Sequence, residues 1–455
     1  MKLSQSPARV TAKFDDTHLV GYAGLVPAMR LAETIGLFDL VDHHVRLPGA
    51  TGANPGVKIG SLIAGMLAGA DSIDDMDRIR HGGMPQLFTG MRAPSTLGSF
   101  LRSFTFGHTR QVDAVASRLL AQLDEHTEMF GSVDDSPVMI DIDDTIVEVF
   151  GATKQGAVFG RKKKVRGLSA LLITASAEDF SPIIIGQRLR AGSAHSVRGA
   201  HHLVRETLQH LCHTSVAGRQ LWLRADSGFY TRDIVGVLRD AQGWVSITVR
   251  KTTAEKNAIA AIPDHQWTPL LDSDTKEPLI GEVAETPFTA FSTTTTPLPC
   301  RLIIHREPDP TEKQPHHQDG LFPLWKYHAF ITNAPPTYDA ATLTVIHRRH
   351  AIIEQVNSAL KDSALAHLPS ASFPANTVWL TLAAITFNLL RALASLTHDT
   401  TLTRATPATL RQRLIHVPAR IATRARTTFL HLPHNWRWAT AWLTLFTNTH
   451  PPPRR

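Results

Sequence analysis

VMIDIDDTIVEVFG, residues 138–151, alternates with a period of two, the pattern of a β-strand whose successive side chains point to opposite faces. It is also acidic where a strand core should be apolar. Asp141 and Asp143 fall on one face and Asp144 on the other. A carboxylate in a buried strand is costly unless it is paired or binds a cation. The stretch therefore predicts either buried ion pairs with arginine or a metal site. A second stretch, LWLRADSGFY at 221–230, runs apolar through Leu221, Trp222 and Leu223 and then stops on Asp226, Ser227 and Gly228. Asp and Ser cap helices well, so a helix cap is the plain reading of Asp226. An acid at the carboxyl end of a strand in an α/β sheet also stands where ligand sites usually lie.

Working outward, LSALLITA (168–175) and PIIIGQRL (182–189) read as two more strands and 196–211 as a helix. QLWLRAD (220–226) is a fourth strand, 232–242 a helix and GWVSITVR (243–250) a fifth strand. Three consecutive strands followed by alternating helices and strands predict a mixed α/β sheet with helices packed on it. Residues 251–340 break that rhythm. Turn-rich polar segments, FSTTTTPLP and EPDPTEKQPHHQDG, alternate with the strands CRLIIHR (300–306) and WKYHAFITN (325–333), which reads as a β-rich insertion. TLTVIHRRHAIIEQVNSALKDS (342–363) is helical, with Ile346, Ile353, Val356 and Leu360 on one apolar stripe. Residues 1–130 read as helical, without β alternation. The predicted order is a helical N-terminal region at 1–130, a core at 131–250, the insertion at 251–340, the second part of the core at 341–398 and a basic region at 399–455.

Composition narrows the function classes. A chain of 455 residues with 43% hydrophobic content supports two or three packed domains rather than disorder. Two cysteines, Cys212 and Cys300, are too few for a disulfide scaffold or a cysteine zinc module, and they suit a reducing cytosol. MKLSQSPARV lacks the apolar core of a signal peptide. The uncharged run from Asn376 to Leu390 is shorter than a membrane span and reads as a buried helix. Neither a phosphate-cradling GxxxxGKS loop nor a GxSxG elbow is present. The formal charge is +7, and its distribution says more: after Asp399 there is no acid, while nine arginines follow from Arg404 to Arg455. Arg161, Lys162, Lys163, Lys164 and Arg166 form a second basic knot. A lone charge run is usually a solvated face, but two knots with an acid-free tail point to phosphate contact.

The acids then have to be placed together. Seven residues make nearly two helical turns, so His347, Glu354 and Lys361 share a predicted helix face, with His350 one turn before Glu354. Taken alone, that stripe is an ordinary polar surface. Taken with Asp141 or Asp143 and with Asp226, it sets carboxylates from two strands and one helix toward a common site. Hard divalent cations such as Mg²⁺ take oxygen ligands and leave room for water and phosphate. Two such ions about 3.5–4 Å apart clamp the attacking and leaving oxygens of a phosphoryl transfer. Trp267 and Trp325, in the insertion, read either as core residues or as a surface on which a base could stack.

VMIDIDDTIVEVFG, LWLRADSGFY and HRRHAIIEQVNSALKD together resemble the three acidic motifs of bacterial insertion-sequence DDE transposases, most closely the IS1380 group within the wider IS4-like set. AGADSIDDMDRIR, PSTLGSFLRSF and the Arg-rich tail with NWRW are similar to that group as well. The resemblance implies an RNase H-like mixed-sheet α/β core with a β-rich insertion, between a helical N-terminal DNA-binding domain and a helical basic tail. It maps the first Asp onto Asp143, which Thr145 follows two residues later, with Asp141 as rival. The second Asp maps onto Asp226 and the Glu onto Glu354. The implied cofactors are two Mg²⁺ ions, with Mn²⁺ able to substitute. The implied partners are double-stranded DNA, as terminal inverted repeats and target, and a second copy of the chain holding the paired ends. No membrane or small-molecule substrate is expected, and the place of action is the bacterial cytoplasm, on the nucleoid when bound to DNA. Phosphate contacts fall to Lys162, Lys163, Lys164, Arg348, Arg349 and Lys361. The wider set carries a Tyr, Arg, Glu, Lys signature; here His347 and His350 occupy the Tyr and Arg positions, while Lys361 matches. The alternatives are a DNA-binding derivative without catalysis and a nuclease that cuts without joining.

Overall fold

A computed structural model describes residues 4–131, 136–151, 153–159, 165–250, 252–271, 278–308 and 325–450. The meander expected around Asp141 is present. Val138–Glu148 (β2) pairs antiparallel with Arg166–Ser176 (β4), which pairs antiparallel with Ile183–Ala191 (β5). A short strand, Val158–Phe159 (β3), also pairs with β4. The chain then crosses over through the helix Ala200–Leu211 to Leu221–Ala225 (β6), which lies parallel to β2. A second crossover, through Arg232–Asp240, leads to Trp244–Thr248 (β7), parallel to β6. β2, β4 and β6 are dense in Val, Ile and Leu and nearly all of their apolar residues are buried, as strands covered on both faces must be.

The insertion extends this sheet rather than standing beside it. Thr268–Leu271 (β8), Pro278–Ala290 (β9), Leu298–Pro308 (β10) and Trp325–Thr332 (β11) form an antiparallel ribbon. β11 joins β7 through Phe330–Thr248 and Thr332–Ser246, so ten strands among the described residues make one mixed sheet.

The N-terminal region is helical as expected, with Leu25–Thr34 and Leu37–His44 parted at Gly36, whose φ of 73° is the left-handed conformation that favours glycine. One expectation fails there and another at the far end. Leu19–Val20 (β1) is a strand, and the basic tail is not purely helical. The tail carries a hairpin of Ala419–Arg424 (β12) and Thr427–His431 (β13), and β1 pairs with β12 in a separate three-stranded sheet. The chain's two ends are thus tied together. The run around Asn376–Leu390 lies within a longer helix, Phe373–Ser395, which by length and composition could cross a membrane. In this fold 89% of its most apolar window is buried, against Phe106–His126, β5 and Pro55–Leu67. It is the core helix that joins the N-terminal bundle to the sheet.

The helix predicted over 342–363 is broken. Ala340–Arg348 ends, Arg349–Ala351 forms a 3₁₀ turn, and Ile352–Lys361, here called the site helix, begins anew over β2. A tighter turn of 3.0 residues changes the angular phase, so residues before and after the break no longer share a face by simple counting.

Candidate active site

The parallel register of β2 and β6 fixes what stands beside what. Asp141 is opposite Arg224 and Ile142 is opposite Ala225; Asp143 is the next residue of β2 and Asp226 the first after β6, near enough for their charges to interact. The Asp141–Arg224 pair is fully buried and bidentate. Arg224 Nε donates to Asp141 Oδ1 at 2.8 Å and Nη2 to Oδ2 at 2.7 Å, and the two side chains are 0% and 3% exposed. Nη1 of the same arginine donates to the Ile346 carbonyl at 2.8 Å. His350 Nδ1, also 2.8 Å from Asp141 Oδ1, gives that carboxylate a third contact. Asp141, the rival for the first acid, therefore carries the structural ion pair that an acidic buried strand predicts as its plain alternative.

Asp143 has different surroundings. One of its oxygens, Oδ2, accepts a hydrogen bond from Asn357 Nδ2 on the site helix at 2.8 Å. Burial pushes its pKa up to about 6; the nearby charges of Asp144 and Asp226 add to the rise, and His350 and a backbone hydrogen bond oppose it. Asp226 ends β6 and caps the turn that follows, with Oδ1 accepting from the Gly228 amide at 2.8 Å. The helix-cap reading of Asp226 is thus correct, and it leaves the register with Asp143 intact. Space is tight at Gly228: a Cβ there would stand 2.8 Å from Asp226 Oδ1 and 3.1 Å from Ser196 Oγ, so a larger residue would push those side-chain ends aside. Phe229 is fully buried just after the turn.

Asp144 points to the opposite face, as strand alternation requires. Arg190, itself buried, binds Asp144 Oδ2 and donates to Ser169 Oγ at 2.9 Å and to the Ser196 carbonyl at 2.7 Å. Ser196 Oγ closes the group on Asp144 Oδ1 at 3.2 Å. This network ties the loop around Ser196 to the back of the strand that carries Asp143.

The break at Arg349–Ala351 separates His347 from Glu354. His347 faces the sheet, hydrogen-bonded to Ser246 Oγ at 2.7 Å and Thr248 Oγ1 at 2.9 Å and stacked on Phe330 at 4.1 Å. Burial first, then the charges of His350 and Arg224, hold its pKa down to about 3. A neutral imidazole packed in this way cannot grip a phosphate, so His347 leaves the expected face, and Glu354, Asn357 and Lys361 keep helical spacing on the site helix. His350, in the turn before that helix, touches Asp141, and Asn357 touches Asp143. Glu354 stands between them in sequence and is exposed. Asp143 and Asp226 are thus near enough for their charges to interact, while Glu354 has its side chain toward solvent. Among the described residues, no three His, Cys, Asp or Glu side chains stand close enough to hold a metal ion.

The remaining predicted contacts divide. Arg348 is exposed and lies near His305 of β10; burial, and more weakly that arginine, hold His305 below its ordinary pKa. Arg349 is also exposed. With Trp222, Ile352, Ala359 and Arg391 it lines a cavity of about 630 Å³, about half a turn round the site helix from Asn357. Lys361 ends the site helix, half-buried. Lys162, Lys163 and Lys164 lie outside the described residues. Trp267 and Trp325 clasp the Arg306 guanidinium, at 4.2 and 4.4 Å from their ring centres, and Arg306 Nε donates to Glu282 at 2.6 Å. That packing inside the insertion accounts for both rings.

Three residues escaped sequence reasoning. Arg224 precedes Asp226 by two, just as Asp141 precedes Asp143, and once β2 and β6 are taken as parallel neighbours that equal spacing pairs Arg224 with Asp141. Asn357 lies three residues after Glu354, nearly one turn, on the side that meets β2. Arg190 gave no signal beyond being a charge in an apolar strand.

Comparison with known proteins adds family information. The model of a family described as transposase DDE domain, group 1, matches residues 3–451. No curated protein matches the chain. Among solved structures, the piggyBac transposase synaptic complex with hairpin DNA is similar with a TM-score of 0.44 and 11% identity, over 95% of this chain and 83% of that one.

Proposed function

The chain belongs to the DDE transposase family, group 1, and on that premise we propose that it is the DNA transposase of a bacterial insertion sequence of the IS1380 group, with Asp143, Asp226 and Glu354 as its acidic triad. The observation that carries this reading is the register that sets Asp143 beside Asp226 under the site helix. The strand order β5, β4, β2, β6, β7, antiparallel in its first half and parallel in its second, supports an RNase H-like core.

The donor set fits divalent cations. It offers carboxylate oxygens from Asp143 and Asp226 and the buried amide oxygen of Asn357, which has no hydrogen-bond partner; Glu354, exposed in this structure, would have to move in to complete it. Hard cations such as Mg²⁺ or Mn²⁺ take oxygen ligands of this kind. When bound, a pair of them supplies Lewis-acid charge and lowers the pKa of an attacking water or hydroxyl.

The protein's own residues do the rest. Arg224, clamped on Asp141, locks β2 and β6 in the register that places the two reactive acids. His350 anchors the entry to the site helix, and Glu354 enters from the rim. Arg348, Arg349, Lys361, the 161–166 run and the arginine-rich tail grip phosphates of double-stranded DNA. The reaction is hydrolysis at each end of the element: a P–O3′ bond breaks, leaving a 3′-hydroxyl. That hydroxyl then attacks a phosphorus of target DNA, forming a new P–O3′ bond as the target's own P–O3′ bond breaks and leaves a 3′-hydroxyl on the target strand. Two ends must be held at once, which calls for a dimer, and the reaction takes place in the cytoplasm.

The test is an incubation of the full chain with Mg²⁺ and a plasmid carrying the element's ends. We expect nicks at the ends bearing 3′-hydroxyls, joined products, and loss of both in Asp143→Asn and Asp226→Asn. A wild-type protein that retards the DNA in a gel but never nicks it is the non-catalytic derivative. One that nicks without joining is a nuclease.

A further inference from the structure

We propose that Asn357 is a further oxygen donor of the metal site, presenting its amide oxygen to a divalent cation held by Asp143 and Asp226. The inference rests on the reading of those two acids as metal ligands. Asn357 is 6% exposed, and its amide is divided in use. Nδ2 donates to Asp143 Oδ2 at 2.8 Å, while Oδ1 is buried without any hydrogen-bond partner. The orientation of the amide follows from its neighbour, because reversing it would press a carbonyl oxygen against a carboxylate.

Buried amide oxygens almost always find a partner, and an exception calls for an explanation. Among the described residues, the other orphaned buried side-chain atoms are arginine Nε, indole nitrogens and one threonine hydroxyl. Every one of these carries a proton to donate. Asn357 Oδ1 alone is purely an acceptor, so it wants a proton or a cation. It stands beside a strand of acids, where a cation is the better fit. Burial and the neighbouring charges of Asp144 and Asp226 already weigh on Asp143, and a divalent cation would answer both the crowded charge and the orphaned oxygen. The chemical class is a hard divalent ion, Mg²⁺ or Mn²⁺, which accepts carboxylate and amide oxygens together.

The experiment measures Mn²⁺ affinity of the full-length chain by the electron paramagnetic resonance of free Mn²⁺, without DNA and without turnover. Asn357→Ala is expected to weaken Mn²⁺ about tenfold or more, a loss that removing a residue that only orients a ligand also reaches, so the alanine variant tests the inference only through an unchanged affinity. Asn357→Asp keeps an oxygen at the position, so it is expected to bind Mn²⁺ at least as tightly as wild type. Without metal, its new carboxylate faces Asp143 and lowers the melting temperature; Mn²⁺ then raises it by more than in wild type. A ligand also couples bound Mn²⁺ to a ¹³C-labelled asparagine amide in the wild-type protein; a purely structural asparagine, whose replacement by Asp adds a carboxylate that draws in Mn²⁺ either way, predicts no such coupling. That result overturns the inference even if the alanine variant fails to fold. Wild-type affinity in Asn357→Ala overturns it too. Asp143→Asn separates the two levels: if it abolishes Mn²⁺ binding while Asn357→Ala does not, the inference falls and the metal-ligand reading stands. If neither variant changes Mn²⁺ binding, both fall.

Discussion

Asp141 and Asp143 sit two residues apart on one face of the same strand, and their surroundings could hardly differ more. Asp141 is wholly buried, with both oxygens held by Arg224 and a third contact from His350. Asp143 receives one amide hydrogen bond on Oδ2, shares its surroundings with Asp226 and Asp144, and has a pKa raised to about 6, chiefly by burial. A carboxylate whose charge is fully answered by the protein is a piece of architecture. One whose charge is answered only in part is available for chemistry. The lower layer of this face fixes the register, and the proposed chemistry belongs to the layer above it.

The largest expected effect tests that division directly. On the proposed role of Asp143 as a metal ligand, Asp143→Asn is expected to reduce end cleavage on the order of a thousandfold, while the protein stays folded by circular dichroism. If Asp141→Asn instead gave the greater catalytic loss in a protein of unchanged stability, the two roles would be exchanged. The next effect falls on the fold. Asp141→Ala strands Arg224 as a buried, unpaired cation, and breaking such a pair from one side costs about 3–5 kcal/mol. Urea denaturation should show that loss, and Asp143→Asn should not.

Much of this division could be read from the chain, and the limits have physical causes. Period-two alternation in VMIDIDDTIVE exposed both the strand and its misplaced acids, and the end of LWLRAD on a carboxylate marked Asp226 as the cap of the turn that follows. The spacing of the helix misled, because no Gly or Pro marks the 3₁₀ turn at Arg349–Ala351, and His347 therefore sits on Phe330 rather than with Glu354. The tail hairpin was hidden for a similar reason. Its turn places Ala425 and Arg426 at φ of 48° and 66°, a conformation that Asn or Gly usually announces. The union of the insertion with the core depends on β11 pairing with β7 some eighty residues away, and no local pattern encodes a pairing of that range. Asn357 was passed over because one polar residue on an amphipathic helix looks solvated until the strand beneath it is in place.

A smaller effect sharpens the contrast through pH. In the folded, metal-free protein Asp143 titrates near 6 instead of its ordinary 3.8. A carboxyl whose folded pKa is raised stabilises the fold while protonated, fully so below pH 4, and that contribution is lost as pH climbs through 6. Asp143→Asn removes the titration. The variant should match wild type near pH 4 and become the more stable of the two above pH 6, by at most about 2–3 kcal/mol. Chemical denaturation at pH 4, 6 and 8 without metal reads the difference directly. A gap that is constant across the three would mean that Asp143 is as well satisfied as Asp141.

The smallest effect distinguishes neighbours in HRRH. His350 turns inward to Asp141, while Arg348 is exposed and assigned to DNA. His350→Ala removes a hydrogen bond to a buried carboxylate and should cost about 1.5–3 kcal/mol of stability. Arg348→Ala should leave stability within about 0.5 kcal/mol. Its signature lies in binding: the dependence of DNA affinity on salt, log K against log salt concentration, should become shallower by about one unit if the guanidinium neutralises a phosphate. An unchanged slope would take Arg348 off the DNA surface. It would leave Asp143 and Asp226 untouched, because the register that pairs them owes nothing to that arginine.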